Sequence, residues 1–190
     1  TKLQGGGVVV INADAQALLH AKAPSKIHIG RETTGGLGAG ADPEVGKRAA
    51  EESEKEIYEA VKGADMIFIT LGEGGGTGTG SAPLIAAAAK QAGALVVAIV
   101  TKPFTFEGER RRRSADAGIV ELKDSVDTLI TIPNDRLLQM IDRKTTLVDA
   151  FGIVDEVLQQ GVQGISSLIT VHGLINLNFA DGKAVMSNAG

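Results

Sequence analysis

The sequence predicts an α/β protein built on a parallel sheet. Short apolar runs alternate with longer stretches of helical period along the chain, which is the pattern of strands joined by helical crossovers. The runs beginning at Met66, Leu95 and Thr128 are apolar or β-branched almost throughout, as strands covered on both faces must be. The first strand is expected at 8–11 and the second at 27–29. Asp42-Pro43-Glu44 then offers an N-cap, a proline at the first helical position and an early acid, so a helix starts there and stops at Gly63. A strand at 66–70 follows. Pro83 opens the next helix and Gly93 closes it, ahead of a strand at 95–100. Residues 108–124 read as a helix that carries four consecutive arginines, 110–113; such a run is usually a solvated face. The last strand is expected at 128–132. From Leu147 onward, Leu147, Phe151, Val154, Leu158, Ile165 and Leu168 recur at threes and fours. That period predicts a long helix over about 146–169, with Gly173 as its terminator.

Composition narrows the class. The chain has 190 residues, 43% hydrophobic and 22% charged, with 19 basic and 23 acidic residues and a formal charge of -4. One well-cored domain, or one and part of a second, fits that length. The charge balance speaks against a nucleic-acid module. With no cysteine, there is neither a disulfide framework nor a thiolate metal site. No apolar run reaches the ~20 residues that a membrane-spanning helix needs, and the first residues lack the pattern of a signal peptide.

The segment Gly72-Glu73-Gly74-Gly75-Gly76-Thr77-Gly78-Thr79-Gly80-Ser81-Ala82-Pro83 joins a strand to a helix. Five glycines within 74–80 let the backbone adopt left-handed conformations and bring its N–H groups up to a ligand. The following helix directs its positive end to the same place, so the segment suits a polyphosphate. It is not a P-loop, because Gly46-Lys47-Arg48 and Gly182-Lys183-Ala184 both fail the Gly-Lys-Ser/Thr requirement. A dinucleotide site would want an acid at the end of the next strand, which here ends Val100-Thr101-Lys102. Nor is Ser81 set in a nucleophile elbow.

With these residues in view, the sequence resembles the tubulin/FtsZ family of filament-forming GTPases. The 74–80 loop has the form of that family's signature. The likeness continues through Asn12-Ala13-Asp14-Ala15-Gln16-Ala17-Leu18, Gly36-Leu37-Gly38-Ala39-Gly40-Ala41-Asp42-Pro43-Glu44 and Thr101-Lys102-Pro103-Phe104-Thr105-Phe106-Glu107-Gly108. It extends to Ile132-Pro133-Asn134-Asp135, Gly161-Val162-Gln163-Gly164-Ile165-Ser166, Gly173-Leu174-Ile175-Asn176 and Phe179-Ala180-Asp181. The resemblance implies a Rossmann-like parallel sheet followed by a long central helix. It also implies a cytoplasmic protein of the bacterial division site that binds GTP or GDP with Mg2+.

The resemblance carries roles to individual residues. Gly74, Gly75, Gly76, Thr77, Gly78, Thr79 and Gly80 would hold phosphates, as would a second loop of Ala39, Gly40 and Ala41, with Asn12 nearby. Glu107 matches an acceptor for the ribose hydroxyls and Arg111 an arginine reaching back to the nucleotide. Phe151, Asp155 and Asn134 match the guanine site; Phe151 and Asp155, four apart, share a helix face. Asn176, Asn178 and Asp181 match the catalytic loop that one subunit inserts against the next subunit's nucleotide. Hydrolysis would then need a head-to-tail contact of the filament-forming kind. Asn178 stands where the family usually has Asp, and Gly182 where it usually has Val.

Three segments are expected: an incomplete GTP-binding domain over 1–145, the central helix over 146–173, and the catalytic loop with the start of a further helix over 174–190. The family's opening strand, glycine loop and helix would precede Thr1, since Gly5-Gly6-Gly7 leads into a strand instead. That strand would lie in the middle of a sheet ordered 3-2-1-4-5-6. Without it the sheet should divide between the strands at Val8 and Met66. Partners expected are further copies of the chain and cell-division accessory proteins, with neither nucleic acid nor direct membrane insertion. The alternatives are a non-catalytic fragment and another tubulin-like filament protein, such as a plasmid-segregation GTPase.

Overall fold

The computed structural model describes residues 7–21, 25–140 and 146–174, with side chains left out at 138–140 and 165–174. In chain order it contains β1 (Val9–Asn12), α1 (Ala15–His20), β2 (Ser25–His28), α2 (Arg31–Thr34), α3 (Pro43–Glu52), α4 (Glu54–Val61), β3 (Met66–Gly72) and α5 (Thr77–Gln91). β4 (Leu95–Lys102), a 3-10 turn (Thr105–Glu107), α6 (Glu109–Lys123), β5 (Thr128–Pro133), a second 3-10 segment (Asn134–Met140) and α7 (Leu147–Leu174) follow.

All strand pairs are parallel, and among the described residues they form two sheets. β1 pairs with β2 in one; β3, β4 and β5 lie in that order in the other. β1 and β3 are not hydrogen-bonded to each other, so the division falls where the sequence reading put it. One apolar core nevertheless spans both sheets: Ala13 and Ile29 join Ala49, Ile57, Ala82, Ala86, Val96, Ala98 and Val100. β4 is the reason the larger sheet has two covered faces. Its residues alternate, Val96, Ala98 and Val100 facing the helical layer that contains α5. Val97 and Ile99 face Val162 and Leu158 of α7 on the other side. Three layers result, and β4 is buried from Leu95 to Thr101.

Two helix boundaries differ from expectation. The helix expected from Pro43 to Gly63 is interrupted at Ser53, whose backbone leaves helical geometry (φ -105, ψ 22). The Ser53 hydroxyl accepts the Gly30 N–H at 3.0 Å, so the break ties the β2–α2 connection to the α3–α4 joint. Gly63, at φ 81, follows α4 as expected. The second difference is that α5 begins at Thr77, and Pro83 lies inside it. The glycine loop enters the helix directly, and proline forgoes one interior bond rather than marking the start. α1, α2 and the 3-10 segments were not foreseen. For α1 the signal was present in Asp14, which caps it by accepting the Gln16 and Ala17 N–H groups at 2.9 and 3.3 Å. α7 runs through Gly173 to Leu174, longer than the predicted span.

Candidate nucleotide-binding site

The chain leaves β3 at Gly72 and turns through 73–76 into α5. Gly74 takes φ 110, and its N–H bonds the Thr79 hydroxyl at 2.9 Å. An added Cβ there would meet the Arg111 carbonyl at 2.9 Å, so only glycine fits. Thr79, expected to donate to phosphate, is therefore 3% exposed and engaged within the loop. Gly76 caps α5 with no side-chain acceptor, which leaves the first-turn N–H groups of a 15-residue helix available to an anion. Gly75 has nothing within 4 Å of the position of a Cβ.

The second loop meets the first through glycine. Gly46 of α3 sits so close that a Cβ would lie 2.1 Å from the Gly76 carbonyl oxygen, and one on Gly80 would lie 2.0 Å from that of Pro43. One on Gly76 would stand 2.7 Å from the Asp42 nitrogen and 2.8 Å from Ala39 Cβ. These contacts bring the N-termini of α3 and α5 side by side. Asp42 caps α3, accepting the Glu44 N–H at 3.0 Å. Gly40 is left-handed, and Ala41 (φ 63) is the one non-glycine residue with positive φ among the described residues, a strain of order 1–3 kcal/mol. Two helix ends, two glycine-rich turns and a strained residue thus converge on one spot. Asn12 ends β1, where its Oδ1 accepts the Ala13 and Asp14 N–H groups at 2.8 and 3.2 Å.

The remaining predicted residues gather around three aromatic rings. Phe104 is buried, stacks on Phe106 at 4.9 Å and meets Phe151 edge-on at 5.7 Å. Leu137, Ala150 and Val154 pack with it, joining the turn after β4, the segment after β5 and the start of α7. Phe151 is 40% exposed, so one part of the ring packs and another is open. Asp155, one turn on, is exposed and has no hydrogen bond or ion pair among the described residues. Asn134 is 4% exposed and its Oδ1 has no partner among the described residues, a costly condition unless a ligand or water donates to it. Glu107 Oε2 accepts the Phe104 N–H at 2.8 Å, while Oε1 lies 3.6 Å from the Arg111 guanidinium. That pair is thus formed internally. Arg112 pairs with Glu109 at 3.2 Å, in keeping with a surface role. The Asp135 carboxylate grips Thr105 through the backbone N–H (3.0 Å) and the hydroxyl (2.5 Å). The hydroxyl bond, ahead of the backbone one, holds its pKa below the ordinary value.

Asn176, Asn178 and Asp181 lie outside the described residues. Among the described residues no group of three or more His, Cys, Asp or Glu could hold a metal ion, and no helix is long and apolar enough to cross a membrane. Glu73 was passed over in the sequence because it sits among glycines. It is 4% exposed, with both carboxylate oxygens unpartnered among the described residues.

Residues 4–142 match the model of the Tubulin/FtsZ family, GTPase domain. Among solved structures, the chain is similar to an empty FtsZ dimer from M. jannaschii, at 52% identity and TM-score 0.88, covering 95% of this chain and 52% of that one. A mutant FtsZ from M. jannaschii matches at 51% identity and TM-score 0.90, over 97% and 55% of the two chains. More distant is the GDP-bound monomer of CetZ1 from Haloferax volcanii, at 25% identity and TM-score 0.78, over 96% and 55%. The chain spans about half the length of these proteins. With a glycine loop that feeds one helix and packs against the N-terminus of another, and a family match over most of its length, this chain belongs to the tubulin/FtsZ family.

Proposed function

We propose that this chain is the nucleotide-binding part of a GTP-hydrolysing protein that assembles head to tail into filaments in bacterial cell division. The observation that carries the reading is the meeting of the α3 and α5 N-termini across Gly46, Gly76 and Gly80. Aligned peptide dipoles at both helix ends, with the uncapped first-turn N–H groups of α5, favour a polyphosphate. Backbone donors at 39–41 and 76–78 would hold it. In this reading Phe151 stacks on the base, and Asp155, acceptor-only, takes the ring N–H and exocyclic amine of guanine, an edge adenine lacks. The orphan Oδ1 of Asn134 has the acceptor chemistry to complete the pocket. The ribose hydroxyls would go to Glu107 Oε1, the oxygen not engaged with Phe104.

For turnover, Asn176, Asn178 and Asp181 of one subunit would meet the nucleotide of the next, Asp181 orienting and polarising the attacking water. Mg2+ would be held through the phosphates of the nucleotide. When bound, Mg2+ neutralises phosphate charge. The FtsZ relative whose structure is a dimer supports self-assembly. Division-site location, cytoplasmic residence and accessory partners belong to the same proposal. The test is calorimetric titration of GTP against ATP, with phosphate release and polymer sedimentation followed in parallel. Equal affinity for the two nucleotides would overturn the base assignment. The likeness to CetZ1 keeps a second tubulin-like reading open, a filament protein outside division. Absence of a fluorescent fusion from the division plane would favour it.

A further inference from the structure

We propose that Glu73 is a protonation-dependent positioning residue for the glycine loop: its neutral carboxyl completes the seam between β4, α5 and α6, and its ionisation releases the loop. The argument begins with placement. Glu73 is anchored by its N–H to the Thr101 carbonyl at 2.9 Å and immediately precedes Gly74, whose N–H holds Thr79. Its carboxyl occupies the space above Gly118 on α6. A Cβ at 118 would lie 2.5 Å from Glu73 Oε2 and 2.5 Å from Thr79 Cγ2. Gly118 thus makes room for this side chain, and the acid, the threonine and the α6 backbone form one packed unit.

An ionised carboxylate does not suit that unit. Among the described residues neither oxygen makes a hydrogen bond of ordinary geometry; the Thr79 hydroxyl is the one polar group that bears favourably on the carboxylate, and no cation faces it. On α6, Glu121 is the charged group that bears on Glu73, and it repels. Asp116 of α6 is taken up with Lys102 of β4 at 3.4 Å, and Arg111 of α6 with Glu107 at 3.6 Å. β3 carries no charged residue, and the single charge on α5, Lys90, lies 3.6 Å from Asp127. Burial first and Glu121 as a lesser cause push the Glu73 pKa up to about 7, with the Thr79 hydroxyl opposing. A charge formed there must reach water, and Gly74 is the next residue to move.

The sign follows from the two end states. The unfolded side chain ionises near 4.5 and the folded one near 7. The contribution to stability is therefore full below 4.5, falls as pH rises to about 7, and is level above it. The further consequence rests on the proposed nucleotide site. If only the neutral form keeps the loop in binding geometry, about nine-tenths of molecules are competent at pH 6 and one-tenth at pH 8, so apparent GTP affinity weakens about tenfold between them.

The experiment uses the chain without nucleotide, then with GTP. Urea midpoints and the protection of the Gly74 amide against exchange are measured from pH 4.5 to 8.5 for the parent, Glu73→Gln and Glu121→Gln. The parent should lose stability progressively from pH 4.5 to about 7 and hold level above it, while Gly74 protection falls with a midpoint near 7. Glu73→Gln should be flat through that window, and Glu121→Gln should move the midpoint to lower pH. An unchanged profile in Glu73→Gln, or a midpoint indifferent to Glu121, overturns the proposal; should Glu73→Gln fail to fold, the Glu121 arm decides. With GTP, the parent should show the tenfold weakening and Glu73→Gln should not. Absence of GTP binding at every pH would count against the nucleotide reading, leaving the stability and exchange profiles to judge Glu73.

Discussion

Replacing Gly80 by alanine inserts one methyl group between α3 and α5, where it would stand 2.0 Å from the Pro43 carbonyl oxygen and 2.7 Å from the Lys47 nitrogen. Both obstacles are backbone, so no rotamer change relieves the contact. Restoring an ordinary separation of about 3.5 Å means parting the helices by roughly 1.5 Å. Overpacking of this kind costs about 1–3 kcal/mol, and a rigid two-sided clash belongs at the upper end. Alanine in a helix interior returns about 1 kcal/mol relative to glycine. The net expectation is a loss of about 2 kcal/mol, or a fall in Tm of about 4–8 °C for a chain of this size. The control is Gly75→Ala, which meets nothing within 4 Å and should stay within about 0.5 kcal/mol of the parent. Urea denaturation reads stability, and nucleotide titration reads the site. Gly80→Ala should weaken both because it splays the helix ends that converge there. Gly75→Ala should weaken only binding, if phosphate runs past the open side of the loop. A Gly80→Ala protein as stable as the parent would refute the close approach of Gly80 to the Pro43 and Lys47 backbone as the element that aligns the two helices.

The other predictions follow from individual groups. Asp42→Ala removes the cap of α3 and should cost about 1 kcal/mol, with Asp42→Ser recovering most of it in urea denaturation. Asp155→Ala should erode the preference for GTP over ATP by about 1–3 kcal/mol, the scale of a lost charge-assisted hydrogen bond, as read by calorimetry. In a filament-forming context, Asp181→Ala should severely slow phosphate release while sedimentation shows polymer intact. Asn178→Asp should speed release modestly, since an amide lacks the basicity of a carboxylate. Parental turnover in Asp181→Ala polymers would remove that loop from the mechanism.

Local chemistry made much of this protein legible in the sequence. The strands at Met66, Leu95 and Thr128 were found because burial on both faces demands unbroken apolar runs. Asp42-Pro43 marked α3 because capping is a property of neighbouring residues. The long period from Leu147 found α7, and the glycine density of 74–80 found the loop. What the sequence could not decide depends on contacts between distant segments. It placed the start of α5 at Pro83, because proline is usually an initiator; packing against α3 carries the helix back to Thr77. It read the glycines of 74–80 as serving a ligand; the fold gives Gly80 a further reason to be small, because α3 and α5 touch there, and Gly74 another, because its φ is 110. Thr79 reads as a phosphate residue; the fold buries it and has its hydroxyl accept the Gly74 N–H. Glu73 drew no reading of its own among the glycines, and only the approach of Gly118 from α6, 45 residues away in the chain, shows it as a buried acid. Sequence fixes what a residue can do within reach of its own backbone; the tertiary structure decides which groups lose water, and with that which charges and which glycines matter.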